Sequence, residues 1–181
     1  IEKIDSGYIK MYNTNLKSVF SSAQDNYGAF IERNLDGIAT YEGTTVESKG
    51  YEIEFSGELT EGLNIGAGFT KIDIEDESGD TSRPFIPTKT LKLSTSYKIV
   101  ENLKVGGVIR WQDDISTTSG LVDQEAYALL DLALHYQLNE SVGFSVNLEN
   151  LTNKKYFSSL YWDQAFYGTP RNASASVRWN Y

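Results

Sequence analysis

The chain has 181 residues and a formal net charge of −9, and it contains no Cys. The absence of thiols excludes disulfides, zinc–thiolate sites and cysteine nucleophiles, and the negative charge disfavours non-specific binding to nucleic acid, which needs cations opposite the phosphates. Only 3 Pro, together with 12 Tyr, 8 Phe and 3 Trp, are typical of an ordered, β-rich protein. No apolar run approaches the roughly 18 residues of a membrane-spanning helix.

The first 46 residues show the least regular pattern. Residues 7–12 predict a strand, residues 13–15 a turn and residues 16–24 a returning strand. Residues 25–46 are rich in Gly, Asn, Asp, Glu and Thr, which predicts a long loop. The chain starts at Ile1 without a basic segment followed by an apolar one, so we expect it to be part of a longer gene product.

From residue 47 onward, apolar and polar residues alternate. Successive side chains of a strand point to opposite faces, so each alternating segment predicts a strand with one apolar and one polar face. The segments are residues 51–59, 63–70, 91–99, 103–112, 130–136, 142–149 and 171–181. In the last of them, the apolar face consists of Ala173, Ala175, Val177, Trp179 and Tyr181.

The connections between these strands alternate in length. Tight turns are predicted at residues 60–62, 101–102 and 139–140, and extended loops at residues 73–87, 113–123 and 150–170. Outer-membrane barrels show this asymmetry, with short periplasmic turns and long extracellular loops. Aromatic residues near the short turns also suit an interfacial girdle, namely Tyr97, Tyr136, Trp179 and Tyr181.

The pattern as a whole favours an all-β fold, an antiparallel transmembrane β-barrel with short periplasmic turns and long extracellular loops. A soluble β-sandwich would show the same alternation of apolar and polar residues. Strands of about ten residues are long for a sandwich, however, since typical strands have about five or six. The barrel is therefore the favoured fold.

Several short motifs in the second half of the chain occur together in one known family. They are Asn147, Asn150-Leu151, Asn153-Lys154-Lys155-Tyr156, Tyr167-Gly168 and Pro170-Arg171-Asn172. Upstream, SKGYEIEFSGEL (residues 48–59), the segment 87–97 and QEAYALLDL (residues 124–132) fit the same pattern. These residues resemble the C-terminal part of TonB-dependent outer-membrane receptors, in particular ferric-siderophore receptors of the pyoverdine and coprogen type.

The resemblance implies a barrel of about 22 strands around a globular plug. The present chain can supply about eight or nine strands. Residues 1–181 are therefore expected to be the C-terminal portion of the barrel, without the plug, the N-terminal strands or the segment that contacts TonB. In such a fragment the last strand would lack its usual partner and leave an unpaired edge.

The function implied by the resemblance is that of an outer-membrane receptor, not an enzyme. It would bind a ferric siderophore and import it with energy transduced by TonB, with no intrinsic cofactor and no resident metal. The expected partners are the siderophore, TonB through the missing N-terminal part, the outer-membrane assembly machinery and the lipid bilayer, with no nucleic acid. The alternative is a stand-alone small barrel in the outer membrane, serving adhesion, a structural role or lipid modification.

An aromatic cluster in residues 150–170 is the strongest candidate for ligand contact. An exposed loop seldom needs six aromatic side chains unless they form an interaction site, although the loop could instead pack on the barrel rim. The predicted ligand-binding residues are Tyr127, Tyr161 and Trp162. Arg171 and Asn172 are interpreted as a hydrogen-bonding anchor for this loop.

None of the remaining candidate residues is predicted to be catalytic. His135, the single histidine, has no Ser and Asp partners in a triad pattern and is interpreted as a polar lumen residue. The acidic residues 73–80 carry Ser78 where a calcium loop needs Gly, which indicates a solvated loop. The resemblance further implies that Trp179 and Tyr181 form the aromatic signal read by the assembly machinery.

Overall fold

The computed structural model describes residues 3–4, 7–8, 10–33, 37–161 and 164–181. Side chains are described in residues 37–38, 43, 45–161 and 164–181. All regular elements in these residues are β-strands. In the part of the chain that the structure describes, there is no helix whose length and apolar character would let it span a membrane.

The described residues form fourteen strands. In chain order they are β1 (Lys3–Ile4), β2 (Gly7–Tyr8), β3 (Lys10–Arg33), β4 (Ala39–Thr60), β5 (Leu63–Asp76), β6 (Lys89–Val100), β7 (Leu103–Gln112), β8 (Ile115–Ser116), β9 (Asp123–Gln124), β10 (Tyr127–Gln137), β11 (Val142–Glu149), β12 (Phe157–Tyr161), β13 (Gln164–Tyr167) and β14 (Asn172–Trp179).

Eight of the strands form one antiparallel sheet in the order β14-β11-β10-β7-β6-β5-β4-β3. Each long strand therefore pairs with its neighbours along the chain, as expected for an up-and-down barrel wall. The pairs β1-β2, β8-β9 and β12-β13 are separate two-stranded sheets. Eight strands agree with the predicted number, and the sheet has β3 at one edge and β14 at the other.

The pairing register separates two faces. On one face Leu93 lies opposite Ile109, and Ile109 lies opposite Leu130. On the other face Lys92 lies opposite Arg110, and polar side chains continue along the strands. The apolar face is exposed, with Leu93 and Ile109 about 40% accessible. The predicted alternation of apolar and polar faces is therefore confirmed from β4 onward.

The prediction for the first 46 residues was wrong in its turn and its loop, although residues 7–8, 10–12 and 16–24 are strand as predicted. The predicted turn at 13–15 and the strand at 16–24 lie within the continuous strand β3, and most of the predicted loop at 25–46 belongs to β3 and β4. The β3–β4 pairing contains register shifts at Met11/Asn13, Leu16/Ser18, Gln24/Tyr27 and Phe30/Glu32. Each such irregularity inserts an unmatched residue, so the period-2 pattern on which the prediction depended is interrupted.

The short turns and long loops lie where they were predicted, with small differences at their ends. Residues 61–62 and 101–102 are tight turns, and Gly62 adopts the left-handed φ of 76° that the first turn requires. The first extended loop covers residues 77–88, because β5 continues to Asp76 opposite Val46. The loops 113–126 and 150–171 each contain a short hairpin, β8-β9 and β12-β13 respectively.

The buried side chains among the described residues lie mainly at the loop end of the sheet. They are Ile115, Thr117, Gln124, Tyr127, Leu129, Asn150 and Leu160, whereas Val46 lies apart on β4. Packing therefore joins the loops 113–126 and 150–171 to the first residues of β10. The candidate site lies in this region.

Candidate functional site

A cavity of about 520 Å³ lies on the polar face of the sheet, at the end that carries the long loops. Strands β4, β5, β6, β7 and β10 form its floor, and the loop 150–171 forms one wall. Its lining includes Glu52, Glu54, Gly68, Lys92, Arg110, Gln112, Tyr127, Leu129, Tyr156 and Ser158. It combines carboxylates, cations and aromatic rings.

The register explains how the charges come together. Glu54 lies opposite Gly68, Gly68 opposite Lys92 and Lys92 opposite Arg110, so one row across four strands carries an acidic end and a basic end. Gly68 has no side chain, and its side of the row is open: a Cβ there would meet only the Glu54 side chain, at 4.0 Å. The cavity floor can therefore offer hydrogen-bond acceptors and donors to the same ligand.

Two tyrosines form the aromatic part of the cavity. Tyr127, only 8% exposed, donates a hydrogen bond from its hydroxyl to Gln112 Oε1, at 3.0 Å. Its ring packs against that of Tyr156, with ring centroids 4.8 Å apart and an interplanar angle of 37°. Tyr127 and Gln112 are also directly paired across β10 and β7. The orientation of the Tyr127 ring is thus fixed by a hydrogen bond and by packing.

The loop that supplies Tyr156 is tied to the sheet at Asn150. This residue is 3% exposed and adopts a left-handed φ of 47°. Its amide Nδ2 donates to the carbonyls of Lys154 (2.9 Å) and Thr169 (3.0 Å), and its Oδ1 accepts the N–H of Lys154 at 2.8 Å. One buried side chain therefore joins the beginning of the loop to its end.

The same anchor reaches the cavity through Asp131. The Asp131 carboxylate accepts the backbone N–H of Asn150 on Oδ1, at 2.9 Å, and forms an ion pair with Arg110 through Oδ2. Because Arg110 lines the cavity, the cavity floor and the loop base share one carboxylate. A charge-assisted contact of this kind is stronger than one between neutral groups.

The end of the loop is held by two further asparagines. Asn153, with a left-handed φ of 53°, accepts the N–H of Arg171 on Oδ1 at 3.1 Å. Asn172 donates from Nδ2 to Glu149 Oε2 at 3.0 Å, across the β11–β14 pair. These bonds agree with the interpretation of Arg171 and Asn172 as an anchor where the loop re-enters the sheet.

Of the two predicted ligand residues that the structure describes, Tyr127 lines the cavity. Tyr161 ends β12 with half of its surface exposed, and its ring packs edge-on against Phe85, with centroids 5.3 Å apart. Trp162 lies outside the described residues. The aromatic cluster both packs on neighbouring loops and remains exposed, since Phe166 and Tyr167 are more than half accessible.

Sequence reasoning missed Gln124 as part of this region. Its side chain is 8% exposed, and it connects the loop 113–126 to Phe157. A polar residue directly after a predicted loop, here residues 113–123, gives no signal of such a contact. Arg110 and Tyr156 were identifiable, one from its polar-face position and the other from the Asn-Lys-Lys-Tyr motif.

The other candidates have local structural contacts. His135 Nδ1 lies 3.0 Å from Ser145 Oγ on the polar face, near a short turn. Asp76 Oδ1 accepts the N–H groups of Ser78 and Asp80, at 2.9 and 3.1 Å, which closes a turn. Within residues whose side chains are described, no group of three or more His, Asp or Glu residues could hold a metal ion.

Comparisons with known proteins agree with this architecture. The family model for the β-barrel of TonB-dependent receptor-like proteins matches residues 7–151. The ferripyoverdine receptor of Pseudomonas aeruginosa is 37% identical over 153 residues, which are 78% of this chain and 19% of that protein. The ferric-pyoverdine BN7/BN8 receptor of Pseudomonas putida is 31% identical over 169 residues, 91% of this chain and 20% of that protein.

A solved structure shows the same fold. The pyoverdine outer-membrane receptor FpvA of P. aeruginosa PAO1, bound to pyoverdine, superposes with a TM-score of 0.77 at 32% identity, over 90% of this chain and 26% of that one. The chain spans about a fifth of the length of the curated relatives it matches. Its sheet is thus a fragment of a larger barrel. The chain belongs to the TonB-dependent receptor-like β-barrel family, whose members are outer-membrane proteins of Gram-negative bacteria.

Proposed function

We propose that residues 1–181 are the C-terminal portion of the barrel of a receptor that binds a ferric siderophore and imports it with energy transduced by TonB. The observation that carries the proposal is the position of the cavity, on the polar face and beneath the long loops. The relatives that match most of this chain are named as ferric-pyoverdine receptors, which disfavours the stand-alone small barrel.

The cavity chemistry suits binding without bond cleavage. Lys92 and Arg110 can donate to the oxygen atoms that surround iron in a chelate, and the carboxylates of Glu52 and Glu54 can accept from the ligand backbone. The Tyr156 ring offers an aromatic surface beside them. Such a site recognises shape and hydrogen bonding, in agreement with a family of receptors rather than enzymes.

Tyr127, Tyr161 and Trp162 are proposed as ligand contacts in the intact receptor. Two observations support this proposal. Tyr127 lines the cavity, and the Tyr161 ring is exposed on the β12-β13 hairpin. Tyr127→Phe keeps the packing against Tyr156 and removes only the hydroxyl. If the ring makes the contact, this variant retains affinity, whereas Tyr127→Ala loses it.

The binding experiment uses the intact purified receptor. Titration with ferric pyoverdine should quench tryptophan fluorescence with a saturable profile, and cobalamin and haem, added as controls, should leave the signal unchanged. Binding of cobalamin or haem without binding of any ferric chelate would contradict the proposed substrate class. Sequencing the gene upstream of Ile1 tests the domain assignment independently, because a plug-encoding region should precede it.

Trp179 and Tyr181 are proposed as the signal for outer-membrane assembly. Both side chains are strongly exposed, and Trp179 continues the apolar face of β14. Tyr181→Asp should reduce the inserted fraction of the receptor, measured by heat-modifiable migration in gels. Asn180→Asp adds the same charge one residue away and should insert normally; equal insertion of both variants would contradict the role of Tyr181.

A further inference from the structure

Gln124 uses both ends of its buried side-chain amide. Nε2 donates to the carbonyl of Glu125 at 2.7 Å, and Oε1 accepts the backbone N–H of Phe157 at 2.8 Å. Phe157 is 33 residues away along the chain and begins the β12-β13 hairpin. The side chain therefore joins two loops that lie on opposite sides of β10 and β11 in sequence.

The residues on either side of Phe157 both line the cavity. Tyr156 supplies the ring that packs on Tyr127, and Ser158 lies beside it. Fixing the backbone N–H of Phe157 therefore fixes the middle of this three-residue wall. Gln124 itself is only 8% exposed, so water has little access to replace this bond if it is lost.

A second contact supports the same geometry. The backbone N–H of Gly168 donates to the carbonyl of Tyr156 at 2.9 Å, which holds the wall from the other side of the hairpin. The loop 113–126 is itself joined to the loop 77–88, because the N–H of Ser116 donates to the carbonyl of Pro84 at 3.0 Å. Three extracellular loops are thus linked into one unit, with Gln124 as the side chain between the second and the third.

We propose that Gln124 is a positioning residue that holds residues 156–158 in place as the loop wall of the cavity, and so sets how tightly the cavity retains its ligand. The geometric part of this inference needs no ligand. The part that concerns retention rests on the proposed function. The two parts are therefore tested by separate measurements.

The ligand-free test measures a distance across the two loops. Spin labels on cysteines introduced at the exposed positions Thr118 and Gln164 report it by pulsed electron resonance in the intact receptor. Gln124→Met preserves length and volume but can neither donate nor accept as the amide does. It should broaden the narrow distance distribution of the wild type, and an unchanged distribution would overturn the positioning role.

Gln124→Glu makes the loop distance depend on pH, which a merely structural role of this residue would not do. The carboxylate can accept from Phe157 but repels the Glu125 carbonyl, whereas the protonated acid can again donate and accept. Burial and the neighbouring carboxylates of Asp123 and Glu125 should raise the pKa of the introduced acid. The distribution should therefore be broad at neutral pH and narrow again under acidic conditions, with Gln124→Met broad throughout.

A matched control lies at the other end of β10. Gln137 also donates to backbone carbonyls, those of Asn139 at 2.6 Å and Val142 at 3.1 Å, but in a short turn. Gln137→Glu should leave the loop distance unchanged at every pH. A broadening as large as that of Gln124→Glu would show a general effect of the acid and overturn the assignment.

The retention test uses ferric pyoverdine. Gln124→Met should speed dissociation of the complex roughly tenfold, the usual scale for a lost buried hydrogen bond. A broadened distribution with unchanged dissociation would confine Gln124 to loop geometry and overturn its role in retention. If the wild type binds no ferric pyoverdine, the proposed function fails while the distance measurements still decide the positioning role.

Discussion

A Cβ atom on Gly168 would lie 2.0 Å from Cζ of Tyr156, so the tyrosine ring occupies the space that any larger residue at position 168 would need. The other partner of this ring is Tyr127, at a centroid distance of 4.8 Å. Tyr156 is thus enclosed between a glycine of the hairpin end and an aromatic residue of the sheet. Tyr156 and Gly168, which belong to two separate motifs of the family pattern, are therefore sterically matched at this site.

Gly168→Ala should displace the Tyr156 ring from its contact with Tyr127. Overpacking of this kind typically costs about 1–3 kcal/mol, because neighbouring groups must move. We expect weaker ferric pyoverdine binding, by about tenfold, with a barrel that still folds. Binding by fluorescence titration and folding by heat-modifiable migration measure the two effects separately.

A double-mutant cycle identifies the cause of this effect. In a Tyr156→Ala background the obstructing ring is absent, so Gly168→Ala should cost nothing further. If the double variant instead loses as much affinity as the two single variants together, the ring is not the obstacle and the steric explanation is contradicted.

Asn150 should be the most sensitive position of the loop base. Asn150→Ala removes three buried hydrogen bonds and forces alanine into a left-handed conformation, so we expect a loss of about 3–4 kcal/mol. Asn150→Gly removes the same bonds but tolerates the positive φ, and should cost about 1 kcal/mol less. The loss in each variant is measured as the decrease in protease resistance of the loop 150–171 in the intact receptor. Equal sensitivity of the two variants would exclude a contribution from backbone strain.

The sequence predicted the sheet better than the loops, for a physical reason. Alternation reports which face a side chain occupies, and it remained regular from residue 51 in β4 onward, where the β4–β5 pair has one register shift and the β5–β6 pair has none. In β3 the repeated shifts interrupt the period, and the pattern was lost. The bond between Gln124 and Phe157 joins residues 33 positions apart, and neither local propensity nor alternation contains that information.

The two faces of β6 should respond differently to the same charge. Leu93 lies on the apolar face that meets lipid, whereas its neighbour Ser94 lies on the polar face. Leu93→Lys should destabilise the inserted barrel by about 2–4 kcal/mol, and Ser94→Lys should be tolerated. The inserted fraction, measured for both variants, checks the assignment of faces. Greater loss with Ser94→Lys would reverse it.

The base of the loop 113–126 should depend on the charge of Asp113. The Lys89 ammonium group and the Thr88 hydroxyl, each 3.0 Å from Asp113 Oδ2, hold the pKa of this carboxyl below its usual value. A depressed pKa means that the stabilisation is present above the unfolded-state pKa and is lost as the pH falls through the lower folded-state pKa.

Asp113→Asn should therefore lower the thermal unfolding midpoint of the receptor at neutral pH. Its difference from the wild type should persist at pH 5 and disappear only below about pH 4, the ordinary range of Asp. Asp123→Asn, at an exposed position of the same loop, provides the control. A difference that already vanishes between pH 7 and pH 5 would contradict the depressed pKa.

We propose that this chain is part of a TonB-powered receptor for a ferric siderophore. The most direct measurement is uptake of radiolabelled iron from ferric pyoverdine by cells carrying the intact receptor, with and without a functional TonB. We predict surface binding in both strains and accumulation inside the cell only where TonB is present. Absence of binding in both strains, or accumulation that does not depend on TonB, would contradict the assignment of this chain to such a receptor.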